Sequence, residues 1–160
     1  MSRSVGTRVR VAFTAVVTAA VLVLTVSPAE ASATRSTSAK GHSVSASAKV
    51  VFYNPFQFVV TNFGVSDTYC DASPVYAEVW VLWSYRHSQT VMPLAQYYNK
   101  RGCGTRKRMP DVGKNMDRQV LGVFLKACVD SVGTNECTKL PQRFRETKVA
   151  YNPYDSRAPK

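Results

Sequence analysis

Across residues 74–86 the side chains alternate with period two. Val75, Ala77, Val79, Val81, Trp83 and Tyr85 fall on one side, and Tyr76, Glu78, Trp80, Leu82, Ser84 and Arg86 on the other. Successive side chains of a strand point to opposite faces, and the β-branched and aromatic residues here suit a pleated surface, so the segment predicts a strand. Its first side is apolar throughout and is expected to meet a core. The second mixes aromatic with charged residues and is expected to be partly covered, with Trp80 and Leu82 exposed or under a loop. One such strand needs a sheet, and the rest of the chain has to supply it.

The short polar segment 87–90 reads as a hairpin connection into a strand over 91–98, where Pro93 marks an edge or irregular strand. Residues 119–130 predict a further strand, with Leu121, Val123, Leu125, Ala127 and Val129 on one side and Val120, Gly122, Phe124, Lys126 and Cys128 on the other. Residues 131–134 can then turn the chain so that 136–140 runs back beside it. Segments 50–54, 56–62 and 143–151 are weaker candidates, and 111–118 has room for a turn or two of helix. No segment has the sustained three-four spacing of a long amphipathic helix. Six or seven strands on this scale give a mostly β fold, a small antiparallel β-sandwich or partly open barrel with two disulfides. The sequence around Asn54-Pro55 is echoed by Asn152-Pro153, which reads either as chance or as two similar strand-ending turns near opposite ends of the domain.

All four cysteines, Cys70, Cys103, Cys128 and Cys137, follow residue 69. The even count fits two disulfides in an oxidising compartment, and four cysteines allow three pairings. The hairpin expected after residue 130 places Cys128 opposite Cys137, close enough for a bridge. That leaves Cys70 for Cys103. Zinc is the rival use, but no Cys-x-x-Cys pair occurs and the sequence holds two histidines, so no metal or other cofactor is expected. A redox dithiol would also want a close pair.

The N-terminal region carries Arg3, Arg8 and Arg10 and no acid, then an apolar run over 11–26, then the small residues Ala29, Ala31, Ser32 and Ala33. This is the pattern of a secretory signal peptide over 1–33, cleaved after Ala31 or Ala33, rather than of a membrane span, for which the run is short. The product is expected to be secreted and extracellular. Its removal takes three arginines and Glu30, a net loss of two from a formal charge of +11, so the remainder stays strongly basic. Residues 34–48 are almost all Ser, Ala, Thr, Gly, Lys and Arg, and read as a flexible Ser/Ala-rich leader without the apolar area to offset ordering. After the signal segment the aromatic residues begin at Phe52, which places a single β-rich, disulfide-stapled domain over 49–160.

The order Asp67-Thr68-Tyr69-Cys70-Asp71, then Val75-Tyr76-Ala77, Cys103, Ala127-Cys128-Val129-Asp130 and Cys137 resembles small secreted two-disulfide proteins of high-GC Gram-positive bacteria, mostly uncharacterised. The resemblance spans residues 67–139 and implies a scaffold and a compartment, with no catalytic residue to carry over. The chain departs from that pattern in being more basic and more aromatic.

The densest polar feature is Lys100-Arg101-Gly102-Cys103-Gly104-Thr105-Arg106-Lys107-Arg108, five cations around one cysteine. With Tyr97 and Tyr98 upstream, able to stack on sugar rings or bases, Lys100, Arg101, Arg106, Lys107 and Arg108 form a candidate anion-binding loop. The expected partners are an anionic polymer, a cell-wall surface or a membrane surface. The competing reading is a solvated loop that serves solubility. A different class of function is a secreted proteinase inhibitor that presents this disulfide-constrained loop to a trypsin-like pocket, since rigid presentation lowers the entropic cost of binding. Catalysis is not expected: the chain has no Gly-x-Ser-x-Gly elbow, no His-Glu-x-x-His and no phosphate loop, its acids are scattered, and His87 is the one histidine after residue 48.

Overall fold

The structure, a computed structural model, describes residues 32–71, 73–85, 88–131, 134–138 and 147–156. The expected signal segment lies outside these residues except for Ser32 and Ala33, and so do His87 and part of the turn over 131–134. The described chain forms eleven strands and no helix: β1 (Ala33–Lys40), β2 (Val44–Phe52), β3 (Gln57–Asp67), β4 (Val75–Tyr85), β5 (Ser88–Asn99), β6 (Arg106–Arg108), β7 (Val112–Asn115), β8 (Val120–Val129), β9 (Glu136–Cys137), β10 (Thr147–Lys148) and β11 (Ala150–Tyr151).

They build two antiparallel sheets that form a partly open half-barrel, as the fold class expected. The first sheet runs β10-β1-β2-β3, with β6 and β7 both on the far edge of β3. The second runs β8-β4-β5, with β9 and β11 on the free edge of β8. The core lies between them and takes the even residues Val44 to Phe52 of β2, Phe58, Val60, Phe63 and Val65 of β3, and Val75, Ala77, Val79 and Val81 of β4. Val75, Ala77, Val79 and Val81 on the apolar side of β4 are therefore buried as predicted, and Trp83 packs half-buried against the same core. The other side of β4 holds half-buried Glu78 and Trp80 between buried Tyr76 and Leu82.

Three bulges set which residues reach that core. In β3, Ser47 faces Gly64 and Lys49 faces Thr61, so Asn62 and Phe63 together oppose Ala48. Asn62 takes φ 50°, a conformation Asn tolerates better than β-branched residues do. The bulge shifts the inward set from Phe58 and Val60 to Phe63, Val65 and Asp67. In β8 the register slips so that Leu82 faces Gly122 and Trp83 faces Val120, leaving Leu121 as the extra residue. Val120 thus joins Val123 and Leu125 in the main core, while Leu121 packs with Leu82 and Phe124 on the outer side. This corrects the grouping of Leu121 with Val123. In β5 the slip lies beside Pro93, in the edge strand expected of it. That strand begins at Ser88, earlier than expected, because β4 and β5 stay paired to Tyr85 and Ser88.

The reading of residues 34–48 as a flexible leader is corrected: β1 and the first part of β2 are paired along their whole length. Alternation, hidden by the low-complexity composition, is the reason. Thr37, Ala39, Ala46 and Ala48 turn inward and are buried, while Ser36 and Ser38 stay exposed. The domain accordingly starts before residue 49. Segment 111–118 holds β7 and not helix, since Val59 and Val60 of β3 offer it a free edge. Within 147–151 the chain leaves the first sheet at Lys148 and enters the second at Ala150, closing one side of the half-barrel.

The opposite side is closed by side chains. Buried Asn99 donates through Nδ2 to Val65 O and Thr105 O, both 3.1 Å, and its Oδ1 accepts from Arg101 N at 3.1 Å. Tyr97 meets Phe63 edge-on at 5.6 Å. The two Asn-Pro turns, placed near opposite ends by sequence, meet in space: Asn152 Nδ2 donates to Asn54 O at 3.3 Å and to Val120 O at 3.0 Å. Both disulfides form as read from the sequence, Cys70–Cys103 and Cys128–Cys137, the second between directly paired residues.

Candidate anion-binding face

The seven predicted site residues do not form one patch. Lys100 and Arg101 lie exposed in the loop between β5 and β6, with Lys100 Nζ 5.5 Å from the centre of the Tyr98 ring. Tyr97 points inward against Phe63, so it is no stacking platform for a ligand. Tyr98 stands on the outer side of the second sheet, 5.0 Å from Tyr76, with its hydroxyl accepting from Gln96 Nε2. Arg106, Lys107 and Arg108 are strand residues of β6 rather than loop residues. Lys107 donates from Nζ to Tyr98 O at 3.0 Å and ties the two sheets together. The physical reason is the pleat: consecutive residues of a strand cannot share a face.

The loop itself is rigidly held. Cys103 is bridged to Cys70, Gly104 N donates to Asp67 O, and Asp67 N donates to Thr105 O. Gly102 and Gly104 adopt φ of 88° and 69°, which only glycine takes at little cost. At the foot of the loop a cleft of about 350 Å³ is lined by Asp67, Ser73, Pro74, Asn99, Lys100, Gly102 and Cys103.

Arg106 and Arg108 instead join a face that the sequence reading missed. Directly paired residues of antiparallel strands point to the same side, so the register defines rows across the first sheet. One row is Lys40, Ser45, Ser66 and Arg106. The next is Lys148, Ser38, Ser47, Gly64 and Arg108. A third is Ser36, Lys49 and Thr61. With neighbouring strands about 4.8 Å apart, the first row spans about 14 Å and the second about 19 Å. Cations stand at both ends of the first two rows and serine hydroxyls lie between them.

Arg106 is turned into this face. Its guanidinium donates to Ser47 Oγ at 2.8 Å, two strands away, and lies over Gly64. The outward register positions of β1, β2, β3 and β6 include no Asp or Glu and no aromatic residue. Among the described residues these outward positions therefore carry cations with no facing carboxylate, in contrast to the outer side of the second sheet, where Lys126 pairs with Glu78 at 3.5 Å and Trp80 Nε1 donates to the same carboxylate oxygen. Among the described residues no group of three His, Cys, Asp or Glu side chains is placed to hold a metal ion, and no helix is long and apolar enough to cross a membrane.

Lys40, Lys49, Lys148 and the serines were legible in principle. Ser36-x-Ser38-x-Lys40 and Ser45-x-Ser47-x-Lys49 have the period of a strand with one polar side. Comparison of the chain with protein-family models, curated proteins and solved structures finds no match.

Proposed function

We propose that this is a secreted, non-catalytic binding protein that engages anionic extracellular or cell-surface polymers through the outer face of its first sheet, with Lys100 and Arg101 extending the positive field from the adjoining loop. The observation that carries the reading is the array of Lys40, Lys49, Lys148, Arg106 and Arg108 among exposed or half-exposed serines, with no acid at the described outward positions of β1, β2, β3 and β6. Such an array attracts polyanions at long range and gains from counterion release on contact. Two disulfides and the N-terminal signal pattern support the extracellular setting.

The test is a salt-graded binding series of the oxidised protein against wall polymer, anionic glycan, nucleic acid and anionic vesicles. Affinity is expected to fall steeply with salt and to fall again, with a shallower salt slope, in the Arg106→Ala/Arg108→Ala variant. Binding that ignores both salt and these substitutions would remove the proposal.

The second reading, a proteinase inhibitor, is favoured by one observation: Arg101 stands exposed on a loop fixed by the Cys70–Cys103 bridge and by Asn99. The inhibitory residue would then be Lys100 or Arg101, since Arg106 to Arg108 are engaged in a strand. Stoichiometric titration of trypsin supports that reading, and plain cleavage after either residue ends it.

A further inference from the structure

Resting on the reading of the first sheet as a polyanion site, we infer that its ligand is a polyol phosphodiester chain, lying across the strands from Lys148 and Lys40 on one margin to Arg108 and Arg106 on the other. Three features of the face select this chemistry.

The first is the absence of aromatic residues from the outward positions of β1, β2, β3 and β6. Recognition of single-stranded nucleic acid relies on bases stacked on aromatic side chains, and sugar rings are commonly met in the same way. Tyr69, exposed in the turn after β3, has its ring against His42 at 5.5 Å instead. A ligand for this face gains from charge and hydrogen bonds alone.

The second is the floor. Ser38, Ser45, Ser47 and Ser66 offer hydroxyls that both donate and accept, which matches a chain carrying free hydroxyls between its phosphates better than one carrying carboxylates only. The third is the layout of charge. Cations flank the serines at the row ends, and Arg106, held by Ser47, presents a guanidinium fork already oriented in the face. A planar fork of this kind suits phosphate oxygens bidentately. A chain running along the strands would lie over one cationic margin or over the serines between, but not over both margins. Crossing the strands engages a cation, then hydroxyls, then a cation.

The experiment uses the oxidised exported protein and three probes of matched charge: poly(glycerol phosphate) oligomers, oligothymidylate and poly-glutamate. Poly(glycerol phosphate) is expected to bind more tightly than either by at least about tenfold, the worth of one or two net hydrogen bonds. Its affinity should rise with chain length until the chain spans the row of about 19 Å and then level off. The Ser38→Ala/Ser45→Ala/Ser66→Ala variant, which leaves the Ser47 anchor of Arg106 in place, should lose that advantage while keeping its affinity for poly-glutamate, with an unchanged thermal midpoint as the check on folding. Equal binding of all three probes, indifferent to the serines, overturns this inference and leaves the general polyanion reading standing. Oligothymidylate binding that is tightest and lost in Tyr69→Ala also overturns it. Failure of every probe to bind at low salt overturns both.

Discussion

Arg106 occupies the space that a side chain at residue 64 would need. A Cβ at Gly64 would stand 2.6 Å from Arg106 Nε and from its Nη2, the same nitrogen that donates to Ser47 Oγ. Gly64 has no positive φ to accommodate, so its role is this close approach and not backbone freedom.

Gly64→Ala is therefore expected to displace the guanidinium while leaving the sheet intact. The clashing atoms are the far end of a flexible side chain, so the stability cost should stay within about 1 kcal/mol. Polymer affinity should drop about as far as in Arg106→Ala. Isothermal titration beside a urea melt checks this, and undiminished affinity would show that the orientation of Arg106 is irrelevant to binding.

Asn99→Ala should be far more costly than its single side chain suggests. It removes the Nδ2 donor from Val65 O and from Thr105 O, which keeps its bond from Asp67 N, and the acceptor of Arg101 N at the seam between the sheets. A loss of about 2–3 kcal/mol is expected from three lost hydrogen bonds, the one to Val65 O fully buried. The denaturation midpoint reports it, and a shift of only a few tenths would mean that water replaces the amide.

The two bridges should differ in both worth and accessibility. In the chain-entropy account the longer Cys70–Cys103 loop contributes about 3.8 kcal/mol and the Cys128–Cys137 loop about 2.7. Cys70 and Cys103 are exposed, whereas Cys128 is fully buried. Graded dithiothreitol followed by alkylation and mass mapping should label Cys70 and Cys103 first. Simultaneous labelling of all four would mean that reduction requires global unfolding.

Alkaline pH should weaken the fold through two tyrosines. Burial raises the Tyr151 phenol, and burial followed by the Glu78 carboxylate raises that of Tyr76, above the ordinary 10.0. Between the unfolded and the folded value the native state holds more protons, so this stability is complete below pH 10.0 and declines as pH climbs through the raised values. Tyr151→Phe should flatten the decline in melts taken above pH 10.0. An identical alkaline slope in the variant would contradict the assignment.

Legibility from sequence followed the size of the side chains. β4 and β8 announce themselves because Val, Leu, Phe and Trp in period two leave one solution. The same alternation in β1 and β2 is written in Ala against Ser, whose small difference in burial looks like compositional bias until partner strands are present. Asn62 and Leu121 show the other limit. A bulge reverses the facing of every residue beyond it, and a period-two reading of the segment passes over it.

The residues alone determined that a strand at β4 would meet the core on its Val75 side, that the cysteines would pair as Cys70–Cys103 and Cys128–Cys137, and that the chain would be strongly basic. Only the tertiary structure decided which cations share a face. Lys40, Lys49, Arg106, Arg108 and Lys148 come from four strands spread over more than a hundred residues, and Lys107 is excluded from among them by the pleat. Register between strands distant in sequence fixes that grouping, because each pairing depends on the hydrogen bonds and bulges of its neighbours, and no local pattern encodes them.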